Sequence, residues 1–226
     1  MFMTFRAFSM AVALSFGATL PAAAQDIPVT GQTLVASLRD ACQSVGIDRD
    51  QRMALLRGWT RLDTGQANAA VIRFSDAQAF VDFMRENAEG TDMPPLADAI
   101  AAMELDATAT LERLQDGLER GWATFWQGPD GWLLQFRSSE SERSGITTCI
   151  LVPGENTADI NAELIDMVAL LPPLAMPVGR SWILGSSQPL ERGARNFGIS
   201  LHLPNIGLNG APPVPSLTLI YNEFRM

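Results

Sequence analysis

The chain has 226 residues, of which 47% are hydrophobic and 18% charged, a composition typical of globular proteins. Its 25 acidic residues outnumber the 16 basic ones, so the net charge is −9. Because an acidic surface repels phosphate groups, this balance disfavours nucleic acids and anionic membrane surfaces as partners.

The first 24 residues have the three zones of a cleavable secretory signal. Arg6 carries their only charge, a mostly apolar run extends over residues 7–20, and the small residues Ala22 and Ala24 precede Gln25. The run of 14 residues is shorter than the about 20 that span a bilayer, which favours a signal over a membrane anchor. We predict a signal peptide at 1–24 and a mature chain, 25–226, that forms one domain without membrane insertion, in the periplasm or secreted.

The mature chain would have 25 acids and 15 arginines, a net charge of −10, because Arg6 leaves with the signal. Its two cysteines are Cys42, in a predicted helix, and Cys149, in a predicted strand. Since exported proteins meet oxidising conditions, we predict a disulfide between them; two unpaired core thiols are the alternative. A bridge across 107 residues stabilises the fold by about 4–5 kcal/mol on the chain-entropy relation.

Apolar spacing predicts mainly helices in the first half of the chain. Helices are expected over 33–45 and from Asp48 to about Asp63, as a helical hairpin. Residues 69–74 are β-branched enough for a strand, and 75–78 match a capping box that would open the next helix. A long helix over 96–120 follows, and weak helix formers at 106–110 predict a kink or break within it.

The period changes to that of strands from residue 122 onward. Strands are predicted over 122–127, 132–138 and 146–152, with a turn at 128–131 and an exposed loop at 138–145. A helix from 156 or 157 to the prolines at 172–173 precedes strands at 181–187, 197–203 and 217–224. The predicted fold is α+β, with N-terminal helices packed on an antiparallel sheet and βββ-α-βββ order in the C-terminal half. The two β-rich parts share little beyond a tryptophan near each start, too little to infer a duplication.

No catalytic, metal or nucleotide motif occurs in the chain. The patterns H-E-x-x-H, G-x-S-x-G, G-x-G-x-x-G and Walker A are all absent, so we expect no metal and no cofactor. The only histidine, His202, alternates with apolar residues in a predicted strand. We expect a structural role for it, because a catalytic base needs a partner that the sequence does not show.

Three arginines near the C-terminal end form the candidate ligand-binding site. Arg192 and Arg195 lie in a predicted connection between two strands, and Arg180 precedes the first of these strands. Guanidinium groups bind carboxylate or phosphate through paired hydrogen bonds, so these residues predict an anion site. The alternative is a solvated loop that pairs with the acidic helices of its own chain.

The absence of a catalytic set favours an exported, non-enzymatic domain that binds an unidentified protein or small molecule of the cell envelope. The alternative is a carboxylate-based periplasmic hydrolase whose residues converge from distant positions. A deep pocket with two acids of perturbed pKa would favour the hydrolase. An exposed apolar patch without such a pocket would favour the binding protein.

Overall fold

An antiparallel sheet carries helices on both faces in a computed structural model, which describes residues 31–43, 58–88, 93–128, 131–141, 144–154, 161–168, 171–190 and 193–225. The helices are α1 (Gly31–Gln43), α2 (Thr64–Glu86), α3 (Leu96–Glu119) and α4 (Asn161–Val168). The strands are β1 (Thr60–Arg61), β2 (Ala123–Gln127), β3 (Leu133–Glu140), β4 (Ser144–Val152), β5 (Leu174–Met176), β6 (Gly179–Leu190), β7 (Gly193–Pro204) and β8 (Ser216–Arg225). The predicted α+β fold is confirmed. The predicted signal at 1–24 lies outside the described residues.

The strand order across the sheet is β1-β2-β3-β4-β8-β7-β6-β5. Strands β1 to β4 and strands β5 to β8 are therefore two successive sets of four, and their last members meet at the centre. There β4 pairs with β8 from Ser144↔Phe224 to Leu151↔Leu217. Three strands were predicted after the last helix, whereas the structure has four. The additional strand, β5, was not predicted because its three residues are too few to show an alternating pattern.

One face of the sheet packs against α1 and α4. Leu34 and Leu38 of α1 and Leu164 of α4 lie in one buried cluster with alternate residues of the central strands. The predicted disulfide is confirmed and belongs to this layer: it joins Cys42 of α1 to Cys149 of β4, both 0% exposed. The bridge thus fixes α1 to the middle of the sheet.

The other face of the sheet packs against α2. The ring of Phe74 lies 5.3 Å, centroid to centroid, from that of Phe125 on β2, within a cluster that includes Val71 and Ile150. Helix α3 lies beside α2: its Leu114 belongs to the same cluster, and its Met103 joins Phe80 of α2 in another cluster. Among the described helices, none is both long and apolar enough to cross a membrane.

The predicted strand at 69–74 is wrong, because these residues lie within α2. Buried residues recur along the helix at intervals of three and four (Ala67, Ala70, Val71, Phe74 and Ala77), and this pattern outweighs the local β propensity. The helix begins at a capping box formed by Asp63 and Gln66, not at 75–78. Ser75 lies inside the helix, where its Oγ donates to the carbonyl oxygen of Ile72 at 2.7 Å.

Three further predictions are corrected. Helix α3 continues without a break through 106–110, because Ala107 is buried in the cluster with α2 and maintains the apolar stripe. The predicted loop at 138–145 is instead the end of a hairpin, in which Glu140 of β3 pairs with Gly145 of β4. Residues 48–57 of the predicted second helix lie outside the described residues, and its predicted end falls on β1 and the α2 cap.

Candidate functional site

Two of the three predicted arginines, Arg180 and Arg195, lie far apart in the sheet. Arg180 lies near the start of β6, exposed, with its guanidinium carbon 5.4 Å from the ring centroid of Trp182. Arg195 lies on β7 opposite Gln188, whereas Arg180 is opposite Leu203. At about 3.3 Å per residue, the eight positions from 180 to 188 separate them by about 26 Å. Arg192 lies outside the described residues, so an anion site at Arg192 and Arg195 stays a prediction.

The ring of His202 is buried between two serines. It is 3% exposed, its Nδ1 lies 2.8 Å from Oγ of Ser181, and its Nε2 lies 2.8 Å from Oγ of Ser200. Burial lowers the pKa of His202 from 6.5 to about 4, so the imidazole is neutral at neutral pH. With both nitrogens hydrogen-bonded and the ring enclosed, the geometry is that of a structural histidine.

The carboxyl group of Asp76, on α2, is a buried acid with a perturbed pKa. The residue is 9% exposed, and burial raises its pKa from 3.8 to about 6, an effect that the charge of Arg73 opposes and that of Glu104 reinforces. It lines a cavity of about 10 Å³ with apolar residues of α2, α3 and the segment before β8. The position was missed because the sequence pattern assigned it to a capping box.

This cavity is too small for a substrate. Its 10 Å³ can hold about one water molecule, whereas ligand pockets measure about 300–1,000 Å³. Glu104, the second acid, is engaged elsewhere, because its Oε1 accepts a hydrogen bond from the backbone N–H of Asn209 at 2.9 Å. The hydrolase alternative therefore has one acid with a perturbed pKa, Asp76, but the cavity beside it is too small for a substrate.

A groove of ligand size, about 310 Å³, lies between the N-terminal half of α2 and the end of the β2–β3 hairpin. Helix α2 lines one side, and the strand ends with their flanking glycines line the other. The lining residues are Leu62, Gln66, Ala69, Ala70, Arg73, Gln127, Gly131, Leu133 and Gly154. We call this feature the α2 groove.

The helix contributes four residues at spacings that place them on one face: Gln66, Ala69, Ala70 and Arg73. The two alanines are short, which leaves open space between a polar side chain at each end. Seven residues of α-helix rise about 10 Å, so this is the separation of the two polar ends along the helix axis. An elongated molecule of that length fits the spacing.

Arg73 is positioned to bind an anion. Its Nε donates to the carbonyl oxygen of Pro153 at 2.7 Å, which fixes the plane of the guanidinium group. Within the described residues, its two terminal nitrogens have no hydrogen-bond acceptor. At the other end, Oε1 of Gln66 accepts from the backbone N–H of Asp63 at 3.1 Å, so its Nε2 remains as a donor. The lining residues named above include one charge, that of Arg73, and no acid.

Sequence reasoning missed Arg73 because residues 69–74 were predicted as a strand, on which Gln66 and Arg73 do not share a face. Helical spacing from 66 to 73 was the available signal. Among the residues that the structure describes, no group of three or more His, Cys, Asp and Glu side chains could hold a metal ion.

The fold and the groove together define a disulfide-bonded α+β protein that carries an arginine-containing groove of ligand size. Comparison with known proteins adds nothing to this class, since no family model, no curated protein and no solved structure matches the chain.

Proposed function

We propose that this is an exported, non-enzymatic protein that binds a small carboxylate-bearing molecule in the α2 groove. The observation that carries the proposal is the fixed guanidinium of Arg73 at one end of a groove of about 310 Å³ whose lining includes no acid. The Cys42–Cys149 disulfide and the signal-like first 24 residues support export, because disulfides persist in oxidising compartments.

Binding follows from the donors already in place. A carboxylate accepts hydrogen bonds from the terminal nitrogens of Arg73, and hydrogen bonds to charged groups contribute about 1.5–3 kcal/mol each. The bond to Pro153 holds the guanidinium beforehand, which reduces the side-chain entropy lost on binding. The apolar body of the ligand lies over Ala70 and Leu133, which are 4% and 9% exposed. A polar group at its far end accepts from Nε2 of Gln66.

The test is ligand-dependent thermal unfolding of the purified disulfide-bonded chain. The probes are hexanoate and phenylacetate, each compared with its neutral amide. A carboxylate at ten times its dissociation constant stabilises the folded state by about 1.4 kcal/mol, which raises Tm by about 3–6 °C for a chain of this length. Equal shifts with acid and amide, or no shift with either carboxylate, would refute the proposal.

Two variants locate the site, and each has a matched control. Arg73→Gln removes the charge, and Ala69→Trp fills the groove from an exposed helix position without changing Arg73. The controls are Arg85→Gln, at a 70% exposed side chain of the same helix, and Ala102→Trp, at an exposed position of α3. We expect the site variants to lose the carboxylate shift and the controls to keep it. A shift that survives both site variants contradicts the assignment.

A further inference from the structure

The sheet ends, on the side away from the α2 groove, in an open strand edge. Strand β7 pairs with β6 along its whole length, from Gly179 to Leu190. On the outer side, β5 pairs only with residues 179–181. From Trp182 onward, no strand in the described part of the chain pairs with the outer side of β6. The open edge is nine residues long, about 30 Å at 3.3 Å per residue.

This edge is largely exposed from Ile183 onward, and the described residues do not give it the usual protection. Ile183 is 67% exposed, and residues 185–188 are exposed as well. Natural sheets guard their edges with charges, prolines, bulges or covering segments. Residues 181–190 carry no charge, their only proline is Pro189 near the end, and the pairing with β7 has no bulge.

The opposite edge of the sheet is closed in the expected way. Strand β1 is only two residues long, and the chain continues by a hydrogen bond of 2.9 Å from the N–H of Leu62 to the carbonyl oxygen of Phe125. The remaining residues of β2, Ala123 and Thr124, are each 1% exposed. The open edge of β6 is therefore a distinct feature and not a general property of this sheet.

We propose that the open edge of β6 pairs in antiparallel orientation with β6 of a second copy of this chain, so that the sheet continues across a two-fold axis. A two-fold contact joins the same surface on both copies, and an antiparallel pair of identical strands satisfies this condition. Because the chain has a net charge of −9, contacts between copies through its acidic surface are repulsive. The uncharged stretch at 181–190 lets two copies meet without that repulsion.

The size of the contact sets its strength. Pairing two edges of this length buries on the order of 700 Å², below the 1,200–2,000 Å² of stable complexes, so the dimer is weak and depends on concentration. Ile183 and Leu184 are adjacent on the strand and so point to opposite faces of the sheet. Each copy can therefore contribute one apolar side chain to the contact on each face.

The test is sedimentation velocity of the disulfide-bonded chain from about 5 μM to about 1 mM, a range that brackets the affinity of a weak dimer. We expect a monomer–dimer equilibrium within this range. Ile183→Lys puts a charge on each copy beside the paired edge, and we expect it to raise the dissociation constant at least tenfold.

The matched control is Ile220→Lys, the same substitution at a 39% exposed isoleucine on the same sheet face but on the central strand β8. It should leave the dissociation constant unchanged. A chain that stays monomeric at every concentration, or a dimer that Ile183→Lys weakens no more than Ile220→Lys does, would overturn the proposal.

Amide hydrogen exchange gives a second readout on the unmodified chain. Outward-facing amides of residues 182–188 should exchange more slowly at high than at low protein concentration, while those of β8 should not change. Equal exchange of the β6 amides at both concentrations would count against the dimer.

Discussion

Two buried titratable groups, Asp76 and His202, should give the folded protein opposite responses to acid. Burial raises the pKa of Asp76 to about 6, so the folded state favours its neutral form. Burial lowers the pKa of His202 to about 4, so the folded state favours the neutral imidazole. Stability then depends on pH through the difference between the folded and unfolded pKa values.

For Asp76 the contribution to stability is complete below its ordinary pKa of 3.8 and is lost as the pH rises through about 6. The total loss at neutral pH is at most about 3 kcal/mol, of which about 2 kcal/mol falls between pH 4.5 and 7. For His202 the sign is reversed: the contribution is complete above pH 6.5 and is lost as the pH falls towards 4. Its change between pH 7 and 4.5 is also about 2 kcal/mol, so the two effects nearly cancel.

The perturbation that separates them is Asp76→Asn, followed by urea unfolding at pH 4.5 and 7 with the disulfide intact. We expect the free energy of unfolding of the variant minus that of the parent to be about 2 kcal/mol larger at pH 7 than at pH 4.5, because only the parent loses stability as Asp76 ionises. His202→Gln should show the opposite change of similar size. The substituted amides also alter packing, but that effect is common to both pH values.

Asp106→Asn, the same substitution at an exposed position of α3, is the control and should change stability little, because water screens exposed charges. If the stability difference between Asp76→Asn and the parent is the same at both pH values within about 0.5 kcal/mol, burial does not perturb the carboxyl group as argued. If both variants change in the same direction, one of the two environments is misassigned.

Two further predictions concern stability. Replacing Cys42 and Cys149 together by alanine should lower the free energy of unfolding, measured in urea without reductant, by about 4–5 kcal/mol. The parent should show no free thiol under denaturant. A loss below about 2 kcal/mol would contradict the argument that closing a long loop stabilises the fold. Phe74→Ala removes a ring that is 0% exposed and should lower the free energy of unfolding by about 3–5 kcal/mol. Ile72→Ala, at a side chain that is 52% exposed, should lower it by less than about 1 kcal/mol. Equal losses would show that α2 does not pack on the sheet as described.

The β-rich part of the fold could be predicted well because strand signals are local. The strands on either side of the predicted turn at 128–131 pair through Gln127↔Leu133. Cys149 could be placed in a strand from its β-branched neighbours. The pairing of β4 with β8 could not be predicted, since it joins segments more than 60 residues apart and depends on how both sheet halves pack.

The α2 groove could not be predicted because its helix was misread at one point. The sequence of residues 69–74 alone is compatible with a helix or a strand. The helix is favoured by the packing of Phe74 on Phe125, which is distant in sequence, and by the cap at Asp63, which precedes the segment. Once the helix is in place, Gln66 and Arg73 share a face; on a strand they would not. The raised pKa of Asp76 likewise depends on tertiary burial that no local pattern records.

The two proposals use opposite ends of the same sheet, and this makes them separable. The groove touches β2 and β3, whereas the open edge belongs to β6, four strand spacings from β3, which is about 19 Å across the sheet. Between the groove and the open edge, the disulfide holds α1 on β4, and a buried apolar cluster fills the space between α1 and the central strands. A dimer formed through β6 would leave both grooves open at its outer ends. Because sites at this separation that share no residues contribute independently, Arg73→Gln should leave self-association unchanged and Ile183→Lys should leave carboxylate binding unchanged.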